Sequence, residues 1–237
     1  MTSSIARIGL LGGTFDPIHQ GHLDLAGAAW AALDLTALYL VPSRQPPHRP
    51  QPAASSFHRF AMVAVAIAGR AGWRVSDVEL QRPDPSFTAA TLQTFAGFGF
   101  TAEELFFVLG ADAFEDIASW RDYPAILTAA HFAVVSRPGY PVAELPRRLP
   151  SLAARMCEVP ARNTDRPSIF LIPGPTADVS STAIREQCRR GLSLAGMVPD
   201  GVRQHIEQHQ LYGWPHASSS TPDRVRPQAA GSMHGQG

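Results

Sequence analysis

The chain predicts a single doubly wound α/β domain, a mainly parallel sheet with helices on both faces. Three observations carry this prediction. Apolar runs alternate with helix-like segments, the pattern of βαβ units. The 237 residues, 45% of them apolar, suffice for one sizeable core. A glycine pair follows the first apolar run, at the place where open α/β sheets bind ligands.

In chain order, the first strand is expected from about Arg7 to Leu11, and a helix from Gly21 to about Leu33. A second strand covers Ala37–Val41. The stretch from Pro42 to Ser55, rich in Pro, Arg, Gln and His, is expected to be a long loop of the kind that often carries function. A helix runs from about Ser56 to Gly69, a short strand over Trp73–Val78 and a helix over Thr88–Ala96. Leu105–Leu109 is a buried strand ending at Gly110. Two short helices are expected near Ala113–Ala118 and Pro124–Ala129. Phe132–Ser136 and Ser168–Ile172 complete the strands, and helices over Ser181–Arg190 and Asp200–His209 finish the domain. Residues 1–213 therefore form the domain. From Trp214 onward apolar periodicity vanishes, and 214–237 is expected to be a disordered tail. There is no internal repeat.

Composition excludes several chemistries. All 20 basic residues are arginine, because the chain has no lysine. A Walker-type phosphate loop, a pyridoxal phosphate Schiff base and a protein kinase each require one. Phosphate, if handled, must meet arginine, histidine and backbone N–H groups. Twenty acids balance the twenty bases, so net charge argues for neither a nucleic-acid nor a membrane partner. Cys157 and Cys188 form no CxxC, which fits a reducing compartment. The longest apolar run, Phe60–Ala68, is shorter than the roughly 20 residues that a membrane span needs. A cytoplasmic location is the expectation.

Four constellations carry chemistry. The first is Gly12-Gly13-Thr14-Phe15-Asp16-Pro17-Ile18-His19-Gln20-Gly21-His22. Its glycines let backbone approach a ligand, and a helix start supplies free N–H groups and partial positive charge. His19 and His22 flank Gly21, so both rings can face one point. Imidazole there would donate N–H bonds and carry charge near neutral pH. The second is Ser180-Ser181-Thr182-Ala183-Ile184-Arg185. Ser180 is a good N-cap, and Ser181 and Arg185 share a helical face, a plausible cradle for a second phosphate. The third is the loop Ser43-Arg44-Gln45-Pro46-Pro47-His48-Arg49, in which His48 and Arg49 are held outward by prolines. On composition alone a solvated polar linker is the better reading. The fourth joins Ser86-Phe87-Thr88, Gly110-Ala111-Asp112 and Ser119-Trp120. Trp120 suits stacking on a flat heteroaromatic ring and Asp112 suits a ribose, although a core tryptophan and a capping aspartate would look the same.

These strings, with Pro46-Pro47-His48-Arg49, Ser86 to Leu92, Ser136-Arg137-Pro138-Gly139 and Ser181 to Arg185, resemble the bacterial nicotinate-nucleotide adenylyltransferases of the HxGH nucleotidyltransferase superfamily. They occur in family order over about Arg7 to Gly213. The resemblance implies a Rossmann-like fold and adenylyl transfer from ATP to nicotinate mononucleotide, with Mg²⁺ carried on the phosphates and no residue assigned as a metal ligand. His19, His22 and Arg185 would be catalytic. Gly12, Gly13, Thr14, Phe15, His22, Ser181, Thr182 and Arg185 would bind ATP. His19, Ser43, His48, Arg49, Thr88, Asp112 and Trp120 would bind the acceptor. Arg49 stands where many members have lysine.

Alternatives within the superfamily are enzymes acting on nicotinamide mononucleotide or phosphopantetheine. The latter usually carry threonine at the place of His19. A dinucleotide-binding module would want GxGxxG after the first strand, which is not the spacing here. A zinc centre on His19, His22 and His48 lacks further ligands.

Overall fold

The computed structural model describes residues 6–45, 50–159 and 166–215. The strands are β1 (Ile8–Gly13), β2 (Ala37–Pro42), β3 (Trp73–Val75), β4 (Leu105–Gly110), β5 (His131–Val135), β6 (Met156–Glu158) and β7 (Ile169–Ile172). The helices are α1 (Gln20–Ala32), α2 (Ser56–Ala66), α3 (Thr88–Gly97), α4 (Ala111–Glu115), α5 (Leu145–Arg148), α6 (Ser181–Arg189) and α7 (Asp200–Gln208). Every pair of neighbouring strands is parallel, in the order β3-β2-β1-β4-β5-β7-β6. The order reverses between β1 and β4, so the crevice at their carboxyl ends is the topological switch point.

Helices cover both faces, as expected. On one face Leu23, Ala26 and Ala29 of α1 pack with Met62 and Val63 of α2, Ile184 of α6, and Val202 and Ile206 of α7. On the other, Leu92 and Phe95 of α3 pack with Phe114 of α4 and Leu145 of α5. β4 and β5 lie between the layers, and all their residues are buried. That is why these strands read as unbroken apolar runs rather than alternating ones.

Several boundaries differ from expectation for local reasons. β1 continues to Gly13 because Gly12 and Gly13 stay in register with Val41 and Pro42 of β2. Pro42 is tolerated there because the β2–β3 ladder ends at Leu40, paired with Val75. α2 stops at Ala66, before Gly69, whose φ of +78° a helix cannot contain. α4 starts directly at Ala111, with extended Gly110 as its N-cap, so it begins two residues early and puts Asp112 in its first turn. The helix expected near Pro124–Ala129 is a 3₁₀ turn over Ala125–Thr128. Further 3₁₀ turns span Ile117–Ser119, Val142–Glu144, Pro150–Arg155 and Leu211–Gly213. β6 and α5 have no counterpart in the sequence expectation.

Cys157 and Cys188 are free thiols, and burial pushes the Cys188 thiol up to about 11. Among the described residues, no helix is long and apolar enough to cross a membrane. The tail from residue 216 and the segment containing His48 and Arg49 lie outside the described residues.

Candidate active site

The loop from β1 to α1 is shaped by its glycines and by one strained residue. A Cβ on Gly13 would lie 2.9 Å from the Phe15 ring, so only glycine leaves that ring its place. Phe15 is buried with φ of +49°, a conformation costing on the order of 1 kcal/mol outside glycine. Its ring meets His22 edge-on at 5.0 Å. His22 in turn stacks on His19, centroids 3.7 Å apart. The backbone N–H of His19, the N-cap of α1, donates to Nδ1 of His22 at 3.3 Å. An accepting Nδ1 places the His22 proton on Nε2.

His19 departs from expectation. It is 4% exposed, and burial lowers its pKa to about 4, helped by the Arg137 charge and opposed by Asp24. It is therefore neutral at pH 7, an imidazole that donates and accepts but does not bring charge. Its Nδ1 is buried and has no hydrogen-bond partner among the described residues; the same holds for Oγ of Ser43. Ser43 follows β2, and its N–H donates to the carbonyl of Gly13 at 2.8 Å. The two orphaned atoms therefore belong to the N-cap of α1 and to the residue that follows β2.

The hydroxyl–guanidinium cluster of α6 docks onto this same loop. Ser180 caps α6 by accepting from Ala183 N–H at 3.2 Å. Ser181 Oγ donates to the carbonyl of Pro17 at 3.0 Å, and Arg185 Nη1 donates to the carbonyl of Asp16 at 2.8 Å. Thr182 Oγ1 accepts from Arg185 Nη2 at 3.2 Å. The N-terminus of α6 thus lies against the residues that lead into α1. Two helix starts, each with partial positive charge, meet on one edge. The segment before α6 also touches α1: Ala177 N–H donates to Asp24 at 2.8 Å.

Buried polar residues hold the loop in place. Asp16, 5% exposed, accepts from Ala53 N–H, Ala54 N–H and Tyr212 Oη at 2.7, 3.1 and 2.8 Å. Burial and the nearby Asp16 charge push the Tyr212 phenol upward, so it stays a donor. Arg59, 1% exposed, donates to the carbonyls of Thr14 and Ser43 at 2.8 and 2.6 Å, and to those of Ala54 and Arg44 at 3.3 Å each. One guanidinium thereby fixes the ends of β1 and β2 relative to each other, using the fork that lysine lacks.

Arg137, which follows β5, extends the cluster. A Cβ on Gly21 would lie 2.8 Å from its Nη1 and 3.0 Å from the Ala177 carbonyl. A Cβ on Gly110 would meet Asp112 Oδ1 and lie 2.8 Å from Arg137 Cγ. Asp112 is exposed and, like Arg137, lies beside Gly110 at the end of β4. Trp120 is half-buried and packs edge-on against Phe107 at 6.0 Å; a Cβ on Gly12 would lie 3.5 Å from that same Phe107 ring. Thr88 opens α3, and its neighbours Phe87 and Ala89 line a cavity of about 430 Å³. Ser86 ties that side to the loop after β2: its Oγ accepts from Arg44 N–H at 2.9 Å. Gly12, Gly13, Thr14, Phe15, His19, His22, Ser43, Ser181, Thr182 and Arg185 are thus brought together. Asp112, Trp120 and Thr88 sit further along the same sheet edge.

The sequence alone assigns no role to Asp16, Asp24, Arg59, Arg137 or Tyr212. Asp16 and Arg137 lie inside the quoted strings, and an arginine directly after a buried strand is a signal for Arg137. Arg59 and Tyr212 act across long sequence separations and leave no local trace.

Residues 10–187 match the cytidylyltransferase-like family. The chain is 41% identical over 210 residues to a probable nicotinate-nucleotide adenylyltransferase of Roseiflexus sp. (strain RS-1), covering 88% of this chain and 99% of that protein. It is 40% identical over 212 residues to the protein of that name in Geotalea uraniireducens (strain Rf4), covering 87% and 98%. In fold it is similar to Plasmodium falciparum nicotinic acid mononucleotide adenylyltransferase complexed with NaAD, with TM-score 0.70, 18% identity and coverage of 89% and 98%.

Proposed function

The chain belongs to the nicotinate-nucleotide adenylyltransferases within the cytidylyltransferase-like family, and from that membership we propose how its residues divide the reaction. It is a nucleotidyltransferase of NAD biosynthesis, joining ATP and nicotinate mononucleotide to give nicotinate adenine dinucleotide and pyrophosphate. A phosphate oxygen of the mononucleotide attacks the α-phosphorus of ATP. The new P–O bond forms as the bond to the β-phosphate bridge oxygen breaks, and the electron pair leaves on pyrophosphate. The nucleophile is already an anion, so no covalent intermediate and no strong base is required. Catalysis reduces to alignment and to stabilising charge on the transferring group.

His22 Nε2–H is directed at the α-phosphate. Neutral His19 lies at the bridge between the substrates, where a donor without charge aligns two anions. Ser181, Thr182 and Arg185 hold the β- and γ-phosphates with the N–H groups at the start of α6, and backbone N–H groups near Thr14 and Phe15 fix the nucleotides. Ser43 faces the acceptor, and Arg137 adds positive charge beside His19. Trp120 stacks on the pyridine ring, Thr88 with nearby N–H groups receives the carboxylate, and Asp112 contacts a ribose. His48 and Arg49 take the mononucleotide phosphate. ATP enters with Mg²⁺. The two aspartates beside the histidines are engaged by protein donors, Asp16 by three and Asp24 by Ala177 and Gln20, which favours an ion carried on the phosphates. A cytoplasmic location fits this substrate pair.

The observation that carries the assignment is the docking of Ser181 and Arg185 onto Asp16 and Pro17, beside the stacked imidazoles. Pyrophosphate release with ATP and either nicotinate or nicotinamide mononucleotide tests the substrate. A clear preference for the nicotinate form is expected; equal or faster turnover of the nicotinamide form would refute it.

A further inference from the structure

Three histidines outside the nucleotide site face one another across the seam between α2 and α7. His58 lies in the first turn of α2. His205 and His209 lie four residues apart in the last turn of α7 and at its C-cap, and so share one helical face. Nδ1 of His58 and Nε2 of His205 are 3.1 Å apart. The ring of His209 lies 4.9 Å from that of His58 and 4.5 Å from that of His205. One nitrogen from each ring falls within 4.8 Å of the others.

Two readings compete. A hydrogen-bonded imidazole pair with a third histidine packed beside it explains the 3.1 Å contact. A metal site explains it too, and also explains the third ring. Zinc–imidazole bonds of about 2.0–2.1 Å at a tetrahedral angle place two nitrogens about 3.3 Å apart. The His58–His205 pair is already near that separation. A paired i, i+4 histidine motif on one helix face, completed by a histidine from another helix, is a recurrent way to hold zinc. His58 and His205 are half-buried and His209 is exposed, so an ion has an entry path from solvent.

We propose that His58, His205 and His209 form a zinc-binding site that clips the first turn of α2 to the end of α7. The three imidazoles supply three lone pairs, and a water completes the tetrahedron. The hydrogen bond between His58 and His205 is replaced by two metal bonds, and the donor ring's proton moves to its other nitrogen. The clip bears on the nucleotide site through the chain itself. Arg59, the next residue, holds the carbonyls of Thr14 and Ser43. A fixed α2 therefore fixes the loops that follow β1 and β2.

The test uses the full chain, free of any histidine tag and stripped with chelator, titrated with Zn²⁺ by calorimetry and with Co²⁺ by visible absorption. One equivalent is expected, with tetrahedral Co²⁺ bands that Zn²⁺ displaces and a higher melting temperature when zinc is bound. His209→Ala changes an exposed residue at a helix end and leaves the core untouched. It should weaken binding by more than about 100-fold, beyond the usual cost of losing an outer partner. The His205→Ala, His209→Ala double variant should abolish the melting shift. Wild-type affinity retained in the double variant would place the ion on other imidazoles, such as His216 or His234 of the tail, and overturn the proposal. Absence of stoichiometric binding by the wild-type chain would overturn it as well.

Discussion

Arg185 donates from Nη1 to the carbonyl oxygen of Asp16 at 2.8 Å, joining segments 169 residues apart. With Ser181 on Pro17, this contact brings together the two motifs proposed to hold the ATP phosphates. Arg185→Ala should therefore lower kcat by about 100-fold or more, the usual cost of removing a preorganised donor from charge developing in a transition state. Arg185→Lys should recover only part of that loss, because an ammonium lacks the rigid planar fork with which the guanidinium serves the Asp16 carbonyl and Thr182 Oγ1 together. Steady-state kinetics of both variants check this. Full activity in the lysine variant would show that charge alone suffices.

Gly21→Ala separates helix propensity from packing. In an open helix this change would add about 0.5–1 kcal/mol of stability. Here the new methyl would lie 2.8 Å from Arg137 and 3.0 Å from the Ala177 carbonyl. A net loss of about 1–3 kcal/mol is expected, with a fall in activity as α1 and the segment before α6 are pushed apart. Chemical denaturation gives the sign directly.

Acid should destabilise the chain through its buried histidines. Burial holds His19 and His131 at about 4, against 6.5 in an unfolded chain. Between those values the unfolded state binds protons that the folded state refuses, so stability falls as pH drops from 6.5 towards 4. Each group contributes on the order of 3 kcal/mol across the whole interval. Melting temperatures from pH 7 to 4.5 should decline steeply, and His19→Gln should decline less steeply than wild type. Parallel curves would show that His19 is not the titrating group.

Arg59→Met keeps most of the side-chain volume and removes the donors. The carbonyls of Thr14 and Ser43 would then lose their donor in a buried place, at about 1–3 kcal/mol each. A loss of about 3 kcal/mol is expected in urea unfolding. KM for both substrates should also rise, because the loops after β1 and β2 lose their common anchor.

Much of the fold could be read from local pattern. β4 and β5 are buried on both faces, so they appear as plain apolar runs. α6 announces itself through Ser180, which does cap it. β6 leaves no trace in the sequence because three residues at a sheet edge, two half-buried and one exposed, make no pattern. Gly110 looked like the end of a strand and is also the cap of α4, which moved that helix two residues earlier. The site divides in the same way. The glycines and imidazoles of residues 12–22 form a contiguous string, and their chemistry is legible there. The neutrality of His19 is not, because it arises from burial and from Arg137, which is brought alongside only by the fold. Asp16 looks like a free acid in sequence, yet Ala53, Ala54 and Tyr212 occupy it.

Turnover of His22→Ala, measured as pyrophosphate release from ATP and nicotinate mononucleotide beside its melting temperature, tests the central assignment most directly. The assignment predicts a drop of at least about 100-fold in kcat, with melting within a few degrees of wild type. Near-normal turnover in a folded His22→Ala protein would contradict it.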